Sequence, residues 1–151
     1  MLILDSNHLR VLRTSGPASE RLEAKLVSDG RDVVTTVVNV HEGINGYLAE
    51  IQSARDNSQA KAAAYANLQE MLEYYCDWSV LPFDSQTAGQ FDQLRHLPNL
   101  RNVGTMDLQI AAIALCHKAT VLTSNLPHFN RVPNLDVQDW LLDDPVEEMT
   151  W

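Results

Sequence analysis

A chain of 151 residues can bury about 70% of its unfolded surface in one domain without disulfides. Its two cysteines, Cys76 and Cys116, lack metal-ligand spacing, so we expect two buried structural thiols in a reducing compartment. No apolar run approaches the roughly 20 residues of a membrane span, and Asp5 ends the first apolar run too early for a signal peptide. We therefore expect a cytoplasmic protein without a membrane partner.

The net charge of −9 at first argues against a nucleic acid as partner, because phosphate binding usually requires a basic surface. Much of this acidity lies at the C-terminus. Residues 132–151 contain six acidic residues and no Lys or Arg, so residues 1–131 carry only −3. We divide the chain into a domain at 1–142 and an acidic C-terminal tail at 143–151. The tail is interpreted either as a solvated end or as a segment that occupies a basic groove of a partner.

Short β-rich segments alternate along the chain with longer segments of helical periodicity. The strands are predicted at Leu2–Leu4, Val33–Val38, Val80–Phe83, Thr120–Thr123 and Leu135–Val137, and the helices near 8–14, 19–28, 40–53, 59–77, 85–95 and 106–117. This alternation predicts right-handed crossovers and a parallel sheet with helices on both faces. The predicted fold is a three-layer α/β domain with a central parallel sheet of four to five strands. Ligands of such folds bind where the carboxyl ends of the strands meet.

Four oxygen-bearing side chains lie at the predicted carboxyl ends of strands or at the next helix start: Asp5, Glu42, Asp107 and Asn125. Each has an ordinary structural interpretation. Asp5 could be a turn residue or helix cap, and Glu42 and Asp107 are acidic residues near helix starts, where the helix dipole favours them. For Asp107 this interpretation includes an N-cap at Thr105. Taken together, however, the four positions predict one common site at the edge of the sheet.

Gathered carboxylates predict a bound cation. Two carboxylates repel each other by roughly 4 kcal/mol at 4 Å with an effective dielectric constant near 20, and protons or cations must relieve this. Carboxylate and amide oxygens without His or Cys select Mg²⁺ or Mn²⁺ over zinc. A cation of this kind can polarise a phosphodiester and generate hydroxide from bound water. It would also connect an acidic pocket to a polyanionic substrate, which removes the objection from net charge.

Two glycines mark the predicted helix at 40–53. Gly43 and Gly46 each cost about 1 kcal/mol relative to Ala in a helix interior. We therefore expect another group to pack closely against this helix.

Four segments resemble, in order, the motif blocks of PIN-domain ribonucleases, particularly the bacterial VapC-type toxins. These segments are LDSN at 4–7, VHEGINGY at 40–47, GTMDLQIAAIAL at 104–115 and LTSNLPHFNRVPNLDVQDW at 122–140. The resemblance implies a PIN-like fold and an endoribonuclease that depends on Mg²⁺ or Mn²⁺. It further implies an RNA substrate, a homodimer and an antitoxin protein that holds the enzyme inactive.

The resemblance also assigns roles to individual residues. It implies that Asp5, Glu42 and Asp107 form the catalytic, metal-binding triad. Asn125 falls where many members have Asp, and its implied role is to orient a water in the site. Thr123 matches a position that often supports the site. The chain departs from the family pattern in its extra length around 54–63 and in its acidic tail, so a toxin, a stand-alone nuclease and an inhibited relative all remain open.

Basic residues are candidates for guiding RNA. Arg131 is the best of these because its loop follows the proposed site, where one bidentate contact would position a phosphate without reading bases. We therefore predict that Thr123 and Arg131 contact the substrate. The other candidates are Arg10, Arg13, Arg21 and Arg101.

Several other site types are excluded by single residues. A zinc-protease motif would need a second His where Asn45 stands. An aspartyl-phosphate phosphatase would need an acidic residue where Asn7 stands. No glycine-rich nucleotide loop of the G-x-G-x-x-G or Walker type occurs. Two alternatives remain open: a catalytically inactive module of this fold that binds RNA or protein, and a metal-dependent DNA nuclease.

Overall fold

A five-stranded parallel sheet forms the centre of the protein in the computed structural model, which describes residues 1–142. Its strands follow the order β3-β2-β1-β4-β5. They span Leu2–Leu4 (β1), Val33–Thr36 (β2), Val80–Leu81 (β3), Thr120–Leu122 (β4) and Asp136–Gln138 (β5). Each of these pairings is parallel, so the carboxyl ends of the strands meet at one edge. The predicted fold class is confirmed, while the tail predicted at 143–151 lies outside the described residues.

Helices connect the strands. They span Ser6–Arg13 (α1), Pro17–Asp29 (α2), Val37–Ser53 (α3), Ser58–Cys76 (α4), Ser85–Arg95 (α5), Thr105–His117 (α6) and Leu126–Phe129 (α7), with a 3₁₀ turn at Pro98–Leu100. The short helix α7 was not predicted. It follows β4 directly and carries a proline in its first turn, a position where the missing N–H costs nothing.

The sheet is buried on both faces, as expected for parallel strands covered by helices. Ile3 and its neighbours in β2 and β4 pack with helix α6, whose residues Ile110–Ala114 are all buried. Leu2 and Leu4 point to the opposite face and pack against Leu9 of α1 and Leu22 of α2. The alternation of side chains in β1 therefore divides the core into two layers around the central strand.

Several predicted boundaries and local details are wrong. The second strand ends at Thr36 rather than at Val38, because the Thr36 hydroxyl caps helix α3 by accepting the Asn39 N–H at 3.2 Å. Glu42 consequently lies in the second turn of α3 and not in its first. Thr105 is the first residue of α6, and Gly104 occupies the N-cap position without a side-chain hydrogen bond.

The cysteines and glycines give mixed outcomes. Cys76 is exposed and Cys116 is only half-buried, so the expectation of two buried thiols is wrong. Close packing at Gly43 is confirmed, since a Cβ there would meet the Met71 sulfur of α4 at 3.2 Å. At Gly46 the expectation of close packing is wrong, because a Cβ there would meet nothing within 4 Å. Within residues 1–142, the helices are too short or too polar to cross a membrane.

His8 is a fully buried imidazole on α1 that links the first helix to the end of the domain. Its Nε2 accepts the Trp140 N–H at 3.2 Å and lies 3.5 Å from a carboxylate oxygen of Asp139. Burial lowers the pKa of His8, and the nearby Asp139 only partly offsets this effect. The imidazole is therefore neutral in the folded protein at neutral pH.

This burial gives the stability a pH dependence. Below the ordinary imidazole pKa of 6.5, the unfolded chain binds a proton that the folded chain resists. We expect the free energy of unfolding to fall as pH drops from that value towards the lower folded pKa, by at most about 1.4 kcal/mol per pH unit from this group. Urea unfolding at several pH values in this range gives the free energy of unfolding as a function of pH. The slope of that free energy against pH should be shallower for His8→Gln than for the wild type. His96→Gln, at an exposed position, is the matched control. Equal slopes in all three proteins would contradict the assignment.

Candidate active site

A cleft of about 690 Å³ lies at the edge where the carboxyl ends of β1 and β4 meet. Asp5 follows β1, Asn125 follows β4, and Glu42 and Asp107 project from α3 and α6. All four line this cleft, so the structure brings together the residues that the sequence predicted as one site.

Asp5 is the most constrained of the four. It is 7% exposed and occupies the N-cap position of α1, directly after the central strand. One carboxylate oxygen accepts a hydrogen bond from the Asn39 amide at 2.8 Å, and the other accepts one from the Thr123 hydroxyl at 2.7 Å. Hydrogen bonds to both oxygens fix the plane of the carboxylate.

Asn39 supports Asp5 and was missed by sequence reasoning. It is fully buried in the first turn of α3, and its amide oxygen accepts the Thr36 hydroxyl proton at 2.7 Å. That bond orients the amide so that its nitrogen donates to Asp5. The one available signal was a lone Asn between valines at 37–40, since a buried polar side chain usually has a specific partner.

Glu42 completes the acidic side of the cleft from α3. Its carboxylate is exposed and accepts a hydrogen bond from the Ser6 hydroxyl on α1. Ser6 also lies 3.5 Å from the Asn39 amide nitrogen. A continuous polar chain therefore joins Glu42 to Asp5 through Ser6 and Asn39.

Asp107 lies in the first turn of α6, where the helix dipole favours its charge. Its Oδ2 atom accepts a hydrogen bond from the Asn125 amide at 2.9 Å and lies 2.8 Å from Nδ1 of His128. The same Nδ1 also lies 2.9 Å from the Asn125 amide nitrogen; because the Asp107 carboxylate can only accept, the proton is assigned to Nδ1 and His128 donates to Asp107. The Oδ1 atom has no hydrogen-bond partner among residues 1–142. His128 was interpreted from sequence only as a general polar contact, and its partnership with Asp107 was missed.

The two predicted substrate-binding residues lie in different surroundings. Thr123 is buried, donates to Asp5, and accepts the Asn125 N–H at 3.0 Å, so it joins β4 to the start of α7. Arg131 is exposed and is not among the residues that line the cleft; its carbonyl oxygen accepts a hydrogen bond from Asn99 at 3.0 Å. The phosphate contact of Arg131 stays a prediction. The arginines that line the cleft are Arg10 and Arg13.

The oxygen donors around this cleft fit a hard divalent cation in their chemistry. Asp5 keeps unused lone pairs on both oxygens, and Oδ1 of Asp107 is unpaired. As the side chains stand in residues 1–142, no three His, Cys, Asp or Glu residues lie close enough to share one ion. Rotation of the exposed Glu42 and the half-buried Asp107 would be needed to gather them around a cation.

The sequence of this chain was compared with those of known protein families. The family model for the PIN domain matches residues 2–135. The chain belongs to the PIN-domain family. Nucleases of this family are metal-dependent in general, which agrees with the oxygen donors of the cleft.

Individual members of the family are also similar to this chain. Ribonuclease VapC2 of Rickettsia felis is 28% identical over 95 residues, which cover 62% of this chain and 69% of that protein. The crystal structure of VapBC2 from the same organism, bound to a DNA fragment from its promoter, gives a TM-score of 0.67 at 20% identity. The match covers 92% of this chain and 98% of that one. A member of the VapBC family of toxin-antitoxin systems, VapBC-5 from Mycobacterium tuberculosis, gives 0.57 at 22% identity, covering 91% and 96%.

The hydrogen bond from Thr123 to Asp5 can be tested through stability. Thr123→Val keeps the shape of the side chain and removes the donor, so we expect a loss of about 1.5–3 kcal/mol in the free energy of unfolding, the usual value for a bond to a charged group. Thr123→Ser keeps the hydroxyl and should lose only about 1 kcal/mol for the missing methyl group. Urea denaturation in metal-free buffer measures both. Equal losses in the two variants would show that packing, and not the hydrogen bond, dominates.

Proposed function

We propose that this protein is a metal-dependent endoribonuclease that acts as the toxin of a type II toxin-antitoxin pair. One observation carries the proposal: Asp5, Glu42 and Asp107, from separate parts of a PIN-domain chain, line one cleft at the carboxyl edge of the sheet. The similarity to Ribonuclease VapC2 supports RNA as the substrate. The oxygen donors support Mg²⁺ or Mn²⁺ as the cofactor, held by these three carboxylates.

A bound divalent cation would supply charge neutralisation at the scissile phosphate and an activated water. The residues of the chain contribute orientation. Asn39 and Thr123 hold the Asp5 carboxylate in one plane, while Asn125 and His128 hold Oδ2 of Asp107 and leave its Oδ1 available. In this arrangement Asn125 acts by positioning Asp107. Orientation fixed before substrate arrives lowers the reorganisation required during the reaction.

An antitoxin protein is the proposed partner. The support is the similarity of the fold to VapBC-5, a member of a family of toxin-antitoxin systems. A homodimer is likewise proposed from the family resemblance. The second candidate function is a catalytically inactive module that binds RNA or protein, and it is favoured by one observation: within residues 1–142, the acidic side chains as positioned do not form a shared cation site.

Removing one carboxylate tests the catalytic proposal. We expect Asp5→Asn and Asp107→Asn each to lower the rate of RNA cleavage at least 100-fold in Mn²⁺, because each loses a cation ligand. Asp107→Asn should lower stability in metal-free buffer by no more than about 1 kcal/mol, because the amide nitrogen can replace the unpaired Oδ1 and repulsion is relieved. Asp5→Asn should lose about 1.5–3 kcal/mol, because one of its two acceptor oxygens becomes a donor. Gel analysis of a long single-stranded RNA measures cleavage. Asp92→Asn, an exposed site on α5, is the control.

The same assay separates the alternatives. Full activity in either carboxylate variant would exclude these catalytic roles. Binding of RNA by the wild type without cleavage in Mg²⁺ or Mn²⁺ would favour the inactive binding module. Preferential cleavage of single-stranded DNA of the same sequence would favour the DNA nuclease.

His128 provides a finer test of how Asp107 is held. His128→Ala removes the donor to Oδ2, and we expect cleavage to slow about tenfold through kcat, because the carboxylate is less well oriented. His128→Asn can place its amide nitrogen near the position of Nδ1 and should recover much of that loss. Steady-state kinetics at saturating Mn²⁺ measure both. Wild-type kcat in His128→Ala would show that Asn125 alone positions Asp107.

A further inference from the structure

The cleft has a second wall that contains no acidic side chain among its named residues. Arg10 and Arg13 contribute from α1, Gly46 and Tyr47 from α3, and Tyr75 from α4. This wall continues directly from the acidic residues, because Glu42 and Gly46 lie one helical turn apart on the same face of α3. It has no role in holding the three carboxylates.

Two arginines of this wall have cationic side chains available to an anion. They are three residues apart on α1, so they share one face of the helix, and both are exposed. Neither forms an ion pair with a carboxylate in the described part of the chain. Arg13 donates to the Tyr47 hydroxyl at 2.9 Å and lies over the Tyr74 ring at 5.2 Å, which fixes its guanidinium while other N–H donors remain available. Arg10 donates to the Asn7 side-chain oxygen at 3.3 Å, its one side-chain hydrogen bond within residues 1–142.

Gly46 opens the space beside these arginines. A Cβ at Gly46 would meet nothing within 4 Å, so the helix surface is bare where it borders the cleft. Tyr47 and Tyr75 line the same cleft.

We propose that this wall is a subsite for one unpaired nucleotide next to the cleaved phosphodiester, with its phosphate bound by Arg10 and Arg13 and its base against Tyr47 and Tyr75. The inference rests on the proposed nuclease function and adds the form of the substrate. Phosphate needs cationic donors, and a base that has left a helical stack regains contact on an aromatic ring. A base inside a duplex is covered on both faces and cannot enter. The subsite therefore selects single-stranded RNA at this nucleotide.

Base-free nucleotides locate the subsite. The probe is a single-stranded RNA oligonucleotide with one mapped cleavage site, prepared with a single abasic ribose at each of the positions around that bond. We expect the KM to rise about tenfold when the base is missing at one position adjacent to the cleaved bond. Removing the base at the other positions should leave the KM nearly unchanged. Annealing a complementary strand should block cleavage at the mapped bond. Equal KM values for all abasic oligonucleotides would overturn the proposal.

Gly46 offers a variant that separates the subsite from folding. Gly46→Leu fills the bare surface and also replaces a helix-interior glycine, so we expect the melting temperature to stay the same or rise while KM increases at least tenfold. Gly89→Leu, on the exposed surface of α5, makes the same change away from the cleft and should keep the wild-type KM. A wild-type KM in a stable Gly46→Leu variant would overturn the proposal.

The arginines are tested by salt dependence. Arg10→Gln and Arg13→Gln should each reduce the slope of log affinity against log salt concentration by about 0.7, the value for one phosphate contact on a single strand. Arg95→Gln, exposed on α5 and outside the cleft lining, is the matched control and should keep the wild-type slope. Unchanged slopes in both cleft variants would assign the arginines to structure and overturn their part in the subsite.

Binding measured without metal distinguishes this inference from the nuclease proposal. Fluorescence anisotropy of the same oligonucleotides in EDTA reports the subsite without cleavage. A preference for the intact base in EDTA, with no cleavage in Mn²⁺ or Mg²⁺, would support the subsite and contradict the nuclease. Cleavage in metal without any preference among the abasic oligonucleotides would support the nuclease and overturn the subsite.

Discussion

The structure depends on one buried carboxylate at the end of the central strand. Burying a charge is costly unless it is paired or fully hydrogen-bonded, and Asp5 satisfies this condition only through donors from both sides. Asn39 follows β2 and Thr123 follows β4, and these strands are the two neighbours of β1. A shift of either strand by one residue would remove one of the two donors and leave a buried carboxylate oxygen unpaired. The register of the sheet and the geometry of the cleft are therefore set by the same contacts.

This arrangement also accounts for an acidic protein with a polyanionic substrate. The acidic side chains occupy one part of the cleft, where a divalent cation would neutralise them, and Arg10 and Arg13 occupy another. A substrate that spans both parts would meet a cation at its scissile phosphate and guanidinium groups at a neighbouring one. The net charge of the whole chain is consequently a poor guide to its partner, because local charge at the cleft decides what binds.

The fold was predictable because parallel strands buried on both faces are recognisable as short apolar runs between helical patterns. The acidic residues were predictable because Asp5 directly follows such a run, while Glu42 and Asp107 lie near the starts of the helices α3 and α6. The start of α3 was not predictable, because Val37 and Val38 favour a strand by propensity. In the structure the Thr36 hydroxyl accepts the Asn39 N–H and caps a helix that begins at Val37.

The partners of the acidic residues were harder to predict. Asn39 and His128 are single polar residues with no periodicity, and only the folded chain shows what they contact. Arg131 was favoured as a phosphate contact because it follows the site in sequence, whereas the arginines that line the cleft, Arg10 and Arg13, lie on α1, the helix that Asp5 caps. Distance along the chain did not separate these candidates, because Arg10 follows Asp5 about as closely as Arg131 follows Asn125, and only the folded chain shows which of them lines the cleft.

The central claim is that Asp5, Glu42 and Asp107 share one divalent cation, and thermal unfolding as a function of Mn²⁺ concentration tests it most directly. A ligand that binds only the folded state stabilises it by about 2.7 kcal/mol at a hundredfold excess over its dissociation constant. The melting temperature of the wild-type protein should therefore rise with Mn²⁺ concentration. Asp5→Asn, Glu42→Gln and Asp107→Asn should each lose most of this rise. An equal Mn²⁺-dependent rise in the wild type and all three variants would contradict the claim.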